Sequence, residues 1–461
     1  MAETLRSVGL DVGTTTTQLI VSELTVENRA SGFAVPEMEI AQRRVIYESP
    51  VHFTPLLSDT LADGEGIRRI VAAEYEKAGI DRKSVDTGAI IITGETSRKE
   101  NARAVLEAVS AYAGDFVVAT AGPDLESILA AKGAGAVDFS QRTGKTVLHM
   151  DIGGGTSNLS LIEDGKITAT GCLNVGGRLL KLDAQGRVTY VSPVLQGLTN
   201  LQIGSRPSRE QLEEVAQTLA RALEMAAGLR EATALLTQLT TQEAVTPWSI
   251  PKEIPVLSFS GGVADCIETA LEADAFGDIG PLLGQAIRRS RLCQGAYRLG
   301  TQTIRATVIG AGCHSAQLSG STVFFRGVAL PVQNLPVAVL DSREQEDPTQ
   351  IARKMAALDG KTVVLAMPGY RAPTYDRVSA LADAIAQGVQ GQQVYVCLEA
   401  DMAKALGHSL SLRLPPGTPC LCIDRVRLTE GSYLDVGAPV GPALPVVIKT
   451  LILPQAEKGS L

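Results

Sequence analysis

The chain has 461 residues, 45% of them hydrophobic and 20% charged, a balance of folded globular proteins rather than disordered ones. Its length predicts roughly two to four domains. A net charge of −8, with 4% aromatics and no basic stripe, excludes nucleic acid as a partner.

The opening MAETLRSVGLD has no cationic stretch leading into an apolar core, so no secretory signal is expected. No apolar run reaches the roughly 18–20 residues needed to span a bilayer, so no membrane partner is expected. Strands are predicted at Val8–Leu10 and Gln18–Ser22, around the first Asp-Val-Gly-Thr turn, and again in EIAQRRVIYES. A helix follows over Gly66–Lys77, with Ile67, Ile70, Val71 and Tyr75 on one stripe. TGAIIITGE reads as a buried strand, and Arg98–Tyr112 as an amphipathic helix carrying Ala102, Val105, Leu106 and Val109. DFVVATAGPDLESILAAKGAG then gives strand, turn and a small-residue helix. Strands alternating with helices at this spacing predict an α/β fold.

LHMDIGGGTSNLSLIEDG repeats the pattern of the amino-terminal VGLDVGTTTTQLIVSE: apolar run, Asp, clustered Gly and Thr, apolar run. A strand-rich stretch continues to about Val194. SREQLEEVAQTLARALEMAAGL opens with a capping box, Ser208 with Gln211, and is predicted as a long helix. After the proline-spaced TPWSIPKEIPV come a buried strand and SFSGGVADCIE, and then IRATVIGAGCHSAQLSGS, read as a further strand and turn. Gly310-x-Gly312-x-x-Ser315 imitates a dinucleotide fingerprint, but lacks its third glycine and the acidic residue about twenty positions on. It reads as a tight strand–helix turn, with His314 and His149 as packed histidines. Apolar periodicity fades at Asp341–Thr349, which predicts a boundary. Beyond it TVVLAM, VYVCLE and PCLCIDRV read as strands, with helices at Thr374–Gln387 and Met402–Leu406. Seven cysteines without a C-x-x-C read as reduced, buried thiols, Cys420 and Cys422 being expected on opposite strand faces. Four histidines, none at zinc spacing, give no expectation of structural zinc.

The two repeated hairpins carry the chemistry. Glycine permits the tight turn, and its exposed N–H groups with neighbouring hydroxyls can bond phosphate oxygens. This makes Gly13, Thr14, Thr15 and Thr16 the candidate binding set of the first hairpin, and Gly153, Gly154, Gly155 and Thr156 that of the second. Asp11 and Asp151 are placed to hold water on one Mg²⁺, a cation that prefers oxygen ligands and keeps several waters. Gly261 and Gly262 would let backbone approach a purine or ribose. The alternative is two unrelated hairpins in a glycine-rich chain, with 45 glycines.

In order along the chain, LDVGTTTTQL, GPDLESILAAKGAG, MDIGGGTSNLSLI and SFSGGVADCI resemble phosphate-1, the first connecting helix, phosphate-2 and the adenosine motif of the ATPase superfamily of actin, sugar kinases and heat-shock chaperones. FGDIGPLLGQAI resembles its second connecting helix. The resemblance implies an actin-like ATPase fold, two lobes around a cleft for ATP with Mg²⁺, plus an additional C-terminal α/β module. The expected divisions are lobe I with an inserted subdomain at 1–146, lobe II at 147–340 and the module at 350–461. Asn158 stands where the chaperones have an acidic residue. The resemblance sets Asp124 opposite their catalytic glutamate, with Glu126 as competitor.

ATAGPDLESILAAKGAG, FGDIGPLLG, SGST and the tail YLDVGAPVGPALPVVIKTL further resemble the EutA family of ethanolamine ammonia-lyase reactivating factors, over essentially the whole chain. That implies a chaperone-like ATPase of ethanolamine utilisation whose partner is ethanolamine ammonia-lyase. Adenosylcobalamin would be met only through that enzyme. The setting it implies is the bacterial cytoplasm, with a bacterial microcompartment and a homodimer both left open. A sugar or acid kinase and an actin-like filament protein are the alternatives on the same core.

Overall fold

The structure is a computed structural model that describes residues 3–13, 16–30, 38–58, 61–92, 105, 109, 123–241, 256–269, 271–272, 275–314, 316–320, 322–357, 362–391, 393–429 and 432–450. Thr14, Thr15 and the linker TPWSIPKEIP lie outside the described residues, as does most of the helix expected over Arg98–Tyr112.

The first lobe grows from one long hairpin. β1 (Glu3–Val12) pairs antiparallel with β2 (Thr16–Asn28) along its whole length. β2 pairs in turn with β3 (Met38–Glu48) and with the short β4 (His52–Phe53). α1 (Gly64–Ala78) is opened by the Asp63 carboxylate, which accepts from Gly66 N, and closed by Gly79 at φ 66°. Its stripe of Ile67, Val71 and Tyr75 packs on Val8, Leu10 and Leu19. β5 (Thr87–Ile92) lies parallel to β1 and is buried throughout, as the continuous apolar run requires. α2 (Pro123–Gly133) leads to the second lobe.

The second lobe repeats the scheme. β6 (Val147–Ile152), β7 (Ser157–Glu163) and β8 (Lys166–Leu173) form an antiparallel meander. β9 (Leu180–Leu182) and β10 (Val188–Val191) make a separate two-stranded ribbon. The long α3 (Arg209–Ala226) has both hydrogen bonds of its capping box, Ser208 with Gln211. β11 (Val256–Ser260) lies parallel to β6, α4 (Gly280–Arg289) follows, and β12 (Tyr297–Leu299) completes the order β12-β11-β6-β7-β8. Beside β3-β2-β1-β5 of the first lobe, this is one topology used twice: a three-stranded antiparallel meander whose first strand is flanked by a parallel neighbour. It is the actin-like ATPase fold that the motifs implied.

Ala306–His314, read from sequence as strand and turn, is a helix, α5. It packs on α2, β1 and β2, so the chain returns to the first lobe here. Its glycines serve that packing. A Cβ at Gly310 would overlap the Leu129 carbonyl of α2, and one at Gly9 the Val308 carbonyl and Gly312 amide of α5.

The C-terminal sheet has eight strands: β13 (Ala316–Leu318), β14 (Phe324–Arg326), β15 (Val332–Val339), β16 (Val364–Met367), β17 (Val394–Leu398), β18 (Cys420–Ile423), β19 (Ser432–Val436) and β20 (Pro445–Thr450). β15 through β18 run parallel, flanked by antiparallel β19, β20 and β13 on one side and β14 on the other. Three of its strands, β13, β14 and β15, lie within the 147–340 span expected for lobe II, and the charged stretch at Asp341–Thr349 connects elements of the same sheet. α6 (Pro348–Ala356), α7 (Tyr375–Gln387) and α8 (Ala403–Ser411) pack on one apolar core with Cys420 and Cys422. The two cysteines share a face, Sγ to Sγ 4.0 Å, because the side-chain period of a strand is two. None of the seven cysteines is in a disulfide. Among the described residues no helix is long and apolar enough to cross a membrane.

Candidate functional site

Both hairpins close in the same way. Gly13 N donates to the Thr16 carbonyl at 2.8 Å, and Gly153 N to the Thr156 carbonyl at 2.9 Å. Two register steps back, Asp11 opposes Gln18 and Asp151 opposes Asn158, so each aspartate shares a face with a carboxamide. The two turns meet across a cleft of about 600 Å³, lined on the first lobe by Asp11, Gly13, Thr16, Gln18 and Glu126. The second lobe contributes Asp151, Gly153, Gly154, Gly155, Thr156, Asn158, Gly261 and Gly262. A cavity of this size holds a nucleotide-sized ligand. Thr14 and Thr15 fall outside the described residues. Asp124 does not line the cleft; its Oδ1 accepts from Thr170 Oγ1 of β8 at 2.5 Å. Of the two competing acids on α2, Glu126 is the one at the cleft.

Of the two aspartates, Asp11 is half-buried and Asp151 is the more deeply set, 6% exposed. Its Oδ1 accepts from Ser260 Oγ at 2.5 Å and its Oδ2 from Thr307 Oγ1 at 3.3 Å. Burial lifts its carboxyl above the ordinary carboxylate value, against those two hydrogen bonds. Ser260 is held in turn by His149, fully buried, whose Nε2 lies 2.9 Å from Ser260 Oγ and whose Nδ1 lies 3.1 Å from Ser258 Oγ. Burial drives the His149 pKa down to about 3, so the ring is neutral. Since Ser260 donates to Asp151, the neutral ring donates to Ser260 through Nε2 and accepts from Ser258 at Nδ1.

The Ser-Gly-Gly turn divides its two glycines between two tasks. Gly261 sits at φ +84°, and a Cβ there would run into the Ile152 backbone, so it is required by the turn. Gly262 meets only the Ile304 side chain, at 3.8 Å, and leaves open space at the cleft.

Several cleft residues escaped the sequence reading. Arg178 is the only basic side chain among the described residues that line it. Its Nε pairs with Asp278 Oδ2 at 3.1 Å, its backbone N donates to the Gly154 carbonyl at 2.6 Å, and its guanidinium lies 5.8 Å from the Phe53 ring centre on the other lobe. The Gly-Gly pair before Arg178 was the available signal: a Cβ at Gly176 would overlap the Gly154 carbonyl, so this loop lies flat on the second hairpin. Phe53 and Phe276 also line the cleft while 75% and 55% exposed.

The donor set suits a hydrated Mg²⁺. The carboxylates of Asp11 and Asp151 line the cleft, and the carboxamide oxygens of Gln18 and Asn158 are buried there with no hydrogen-bond partner among the described residues. A buried acceptor without a donor costs about 1–3 kcal/mol, a deficit that metal-bound waters relieve. Among the described residues no three His, Cys, Asp or Glu cluster as metal ligands, so water and ligand oxygens must complete such a shell.

Residues 3–454 match the family model described as ethanolamine utilisation protein EutA. The chain belongs to the EutA family. It is 41% identical to the ethanolamine ammonia-lyase reactivase EutA of Salmonella typhimurium, over 98% of this chain and 99% of that one. With the protein of the same name from Escherichia coli it shares 40% identity over the same fractions. Among solved structures it is similar to the ethanolamine utilization protein EutJ of Carboxydothermus hydrogenoformans, at 19% identity and a TM-score of 0.33 over 66% of this chain and 88% of that one. It is also similar to MreB5 of Spiroplasma citri bound to ADP, at 13% identity and a TM-score of 0.33 over 66% and 94%.

Proposed function

We propose that this EutA-family protein is an ATP-dependent reactivase of ethanolamine ammonia-lyase, promoting exchange of damaged cobalamin for intact adenosylcobalamin in the partner enzyme. The observation that supports it most is the meeting of both Asp-Gly hairpins and the Ser-Gly-Gly turn at one cleft between two lobes. The lyase as partner rests on the names of the two relatives. The bacterial cytoplasm, beside or within a microcompartment that holds the lyase, is the setting this reading entails.

In this reading the amides of Gly153, Gly154 and Gly155 and the hydroxyls of Thr16 and Thr156 bind phosphate oxygens, and Arg178 adds the cationic contact. Asp11 and Asp151 hold a hydrated Mg²⁺ from opposite lobes, with Gln18 and Asn158 accepting from its waters. The ion, when bound, neutralises charge building on the transferring phosphoryl group. Glu126 orients the attacking water. Ser260 and His149 hold the Asp151 carboxylate in its rotamer. Ligand that touches both hairpins favours the closed arrangement by its differential affinity for it, and hydrolysis or release relaxes it. That lobe movement is the stroke that loosens the cofactor site of the lyase.

The test is a reconstitution. Inactivated ethanolamine ammonia-lyase, given adenosylcobalamin, ATP and Mg²⁺, should regain activity only with this protein present, and Asp151→Asn should abolish or greatly slow recovery. No recovery, together with phosphorylation of a small polyol, would replace this reading with a kinase.

A further inference from the structure

A second concavity lies outside the nucleotide cleft. α3 and α4 pack side by side and leave a groove of about 360 Å³ whose charged rim is dominated by arginine. Arg209 is occupied by Glu213 at 2.9 Å, and Arg230 by the buried Glu224 at 2.6 Å. Arg291 donates to the Leu229 carbonyl at 2.9 Å. Arg221 of α3 and Arg289 of α4 are exposed, and their side chains make no ion pair or hydrogen bond among the described residues. Five arginines against two glutamates form a cationic strip on a chain whose net charge is −8. The strip is elongated: from Arg209 to Arg221 the helix runs about 18 Å at 1.5 Å per residue. Length, an apolar floor at Ala220 and Leu282, and forked cations on the rim suit a stretch of polypeptide bearing carboxylates better than one compact anion.

The groove is also wired to the cleft. α4 begins at Gly280, which lines the nucleotide cleft, and ends at Arg289 in the groove. Asp278 joins its first turn to the second hairpin: one oxygen accepts from Gly280 N at 2.8 Å, the other from Arg178, whose amide bonds the Gly154 carbonyl. Any shift of the phosphate loop reaches the start of a rigid helix whose far end shapes the groove.

We propose that this groove docks an acidic segment of a protein partner, and that its grip changes with the nucleotide in the cleft through α4. Only the choice of lyase as partner, and the nucleotide dependence, rest on the function proposed above.

The test uses the full chain, immobilised ethanolamine ammonia-lyase and a labelled oligoglutamate peptide. Arg221→Glu/Arg289→Glu should lower the association rate with the lyase roughly tenfold or more, since steering charges act mainly on association. It should flatten the salt dependence and lose the peptide, while ADP affinity stays unchanged. Arg221→Ala/Arg289→Ala should fall between, and unchanged melting curves keep folding out of the comparison. A double charge reversal that binds lyase and peptide at wild-type rates overturns the groove. So does wild-type protein that ignores the peptide yet binds pyrophosphate at this rim. Wild-type protein that binds the peptide through these arginines but not the lyase keeps the groove and overturns the lyase assignment. Equal peptide affinity in the ATP-loaded and ADP-loaded protein overturns the coupling through α4.

Discussion

Replacing Asp151 by asparagine removes a charge and little else. The side-chain volume is kept, the amide oxygen can go on accepting from Ser260, and the amide nitrogen takes the side of Thr307, whose hydroxyl can turn to accept. The charge itself matters in two opposite directions. In the empty protein burial raises the Asp151 carboxyl above its ordinary value of 3.8, so ionisation opposes folding. The sign follows: a raised folded-state pKa contributes stability that is complete below the ordinary value and lost as pH rises through the raised one. Empty Asp151→Asn should therefore be at least as stable as wild type at neutral pH, with the gap closing as pH falls toward 3.8. With Mg²⁺ and nucleotide the balance reverses. Loss of one charged contact to the transition state typically costs about 10²–10³ in turnover, about 2.7–4 kcal/mol. A ligand at a hundredfold its Kd stabilises the fold by about 2.7 kcal/mol, and most of that Mg²⁺-dependent gain should vanish. Phosphate release and thermal melting with and without Mg²⁺ read both effects. Wild-type turnover in a folded variant, or an empty variant less stable at neutral pH, refutes the assignment of Asp151.

The remaining substitutions separate contact from scaffold. Gly262→Val should raise the nucleotide Kd at an unchanged Tm, because its only near neighbour is Ile304; Gly261→Val should lower Tm as well, since its φ of +84° and the Ile152 backbone leave no room. Isothermal titration alongside melting distinguishes them. Glu126→Gln should reduce single-turnover hydrolysis by about 10²–10⁴ with little change in binding, whereas Asp124→Asn, at the Thr170 hydrogen bond, should leave hydrolysis near normal. The reverse pattern would return the water-orienting role to Asp124. Ser260→Ala leaves Asp151 Oδ1 and His149 Nε2 without their shared hydroxyl, and should cost about 1–3 kcal/mol in chemical denaturation together with weakened Mg²⁺ affinity.

What could be seen in the sequence was local. Each hairpin is an apolar strand, an acid, a glycine turn and a return strand, all within a few residues, so Asp11, Asp151 and their glycines could be singled out without tertiary knowledge. α3 announced itself through a capping box and a continuous apolar stripe. α5 did not, because the glycines that make it read as a turn, Gly310 and Gly312, serve contact with other elements. Gly310 and Gly312 are poor helix formers, and packing against α2 and β1 overrides that propensity. The boundary near Asp341 misled for a related reason: β15 finds β19 and β16 by pairing across distance, while the charged stretch after it is only a connection. Cys420 and Cys422 were assigned to opposite faces against the strand period itself, and their 4.0 Å separation follows from that period.

The unseen part of the site shares one property: its members are far apart in the chain. Arg178 and Asp278 are separated by 100 residues, and His149 reaches its serines across a parallel strand pair. The same holds at the lobe junction. Gln18 donates through Nε2 to the Ile304 carbonyl at 3.1 Å, and three residues later Thr307 donates to Asp151. The entry to α5, from Ile304 to Thr307, thus touches both the cross-strand neighbour of the first aspartate and the second aspartate itself. Opening the lobes must break or stretch one of these two bonds, since α5 packs with the first lobe while Asp151 belongs to the second. The Thr307 bond is the longer, at 3.3 Å, and it ends on a carboxylate whose ionisation burial opposes. In the proposed cycle it is the contact expected to yield first, and Thr307→Val should therefore shift the Mg²⁺-dependent nucleotide affinity while Tm changes little; an unchanged affinity by isothermal titration would refute that coupling.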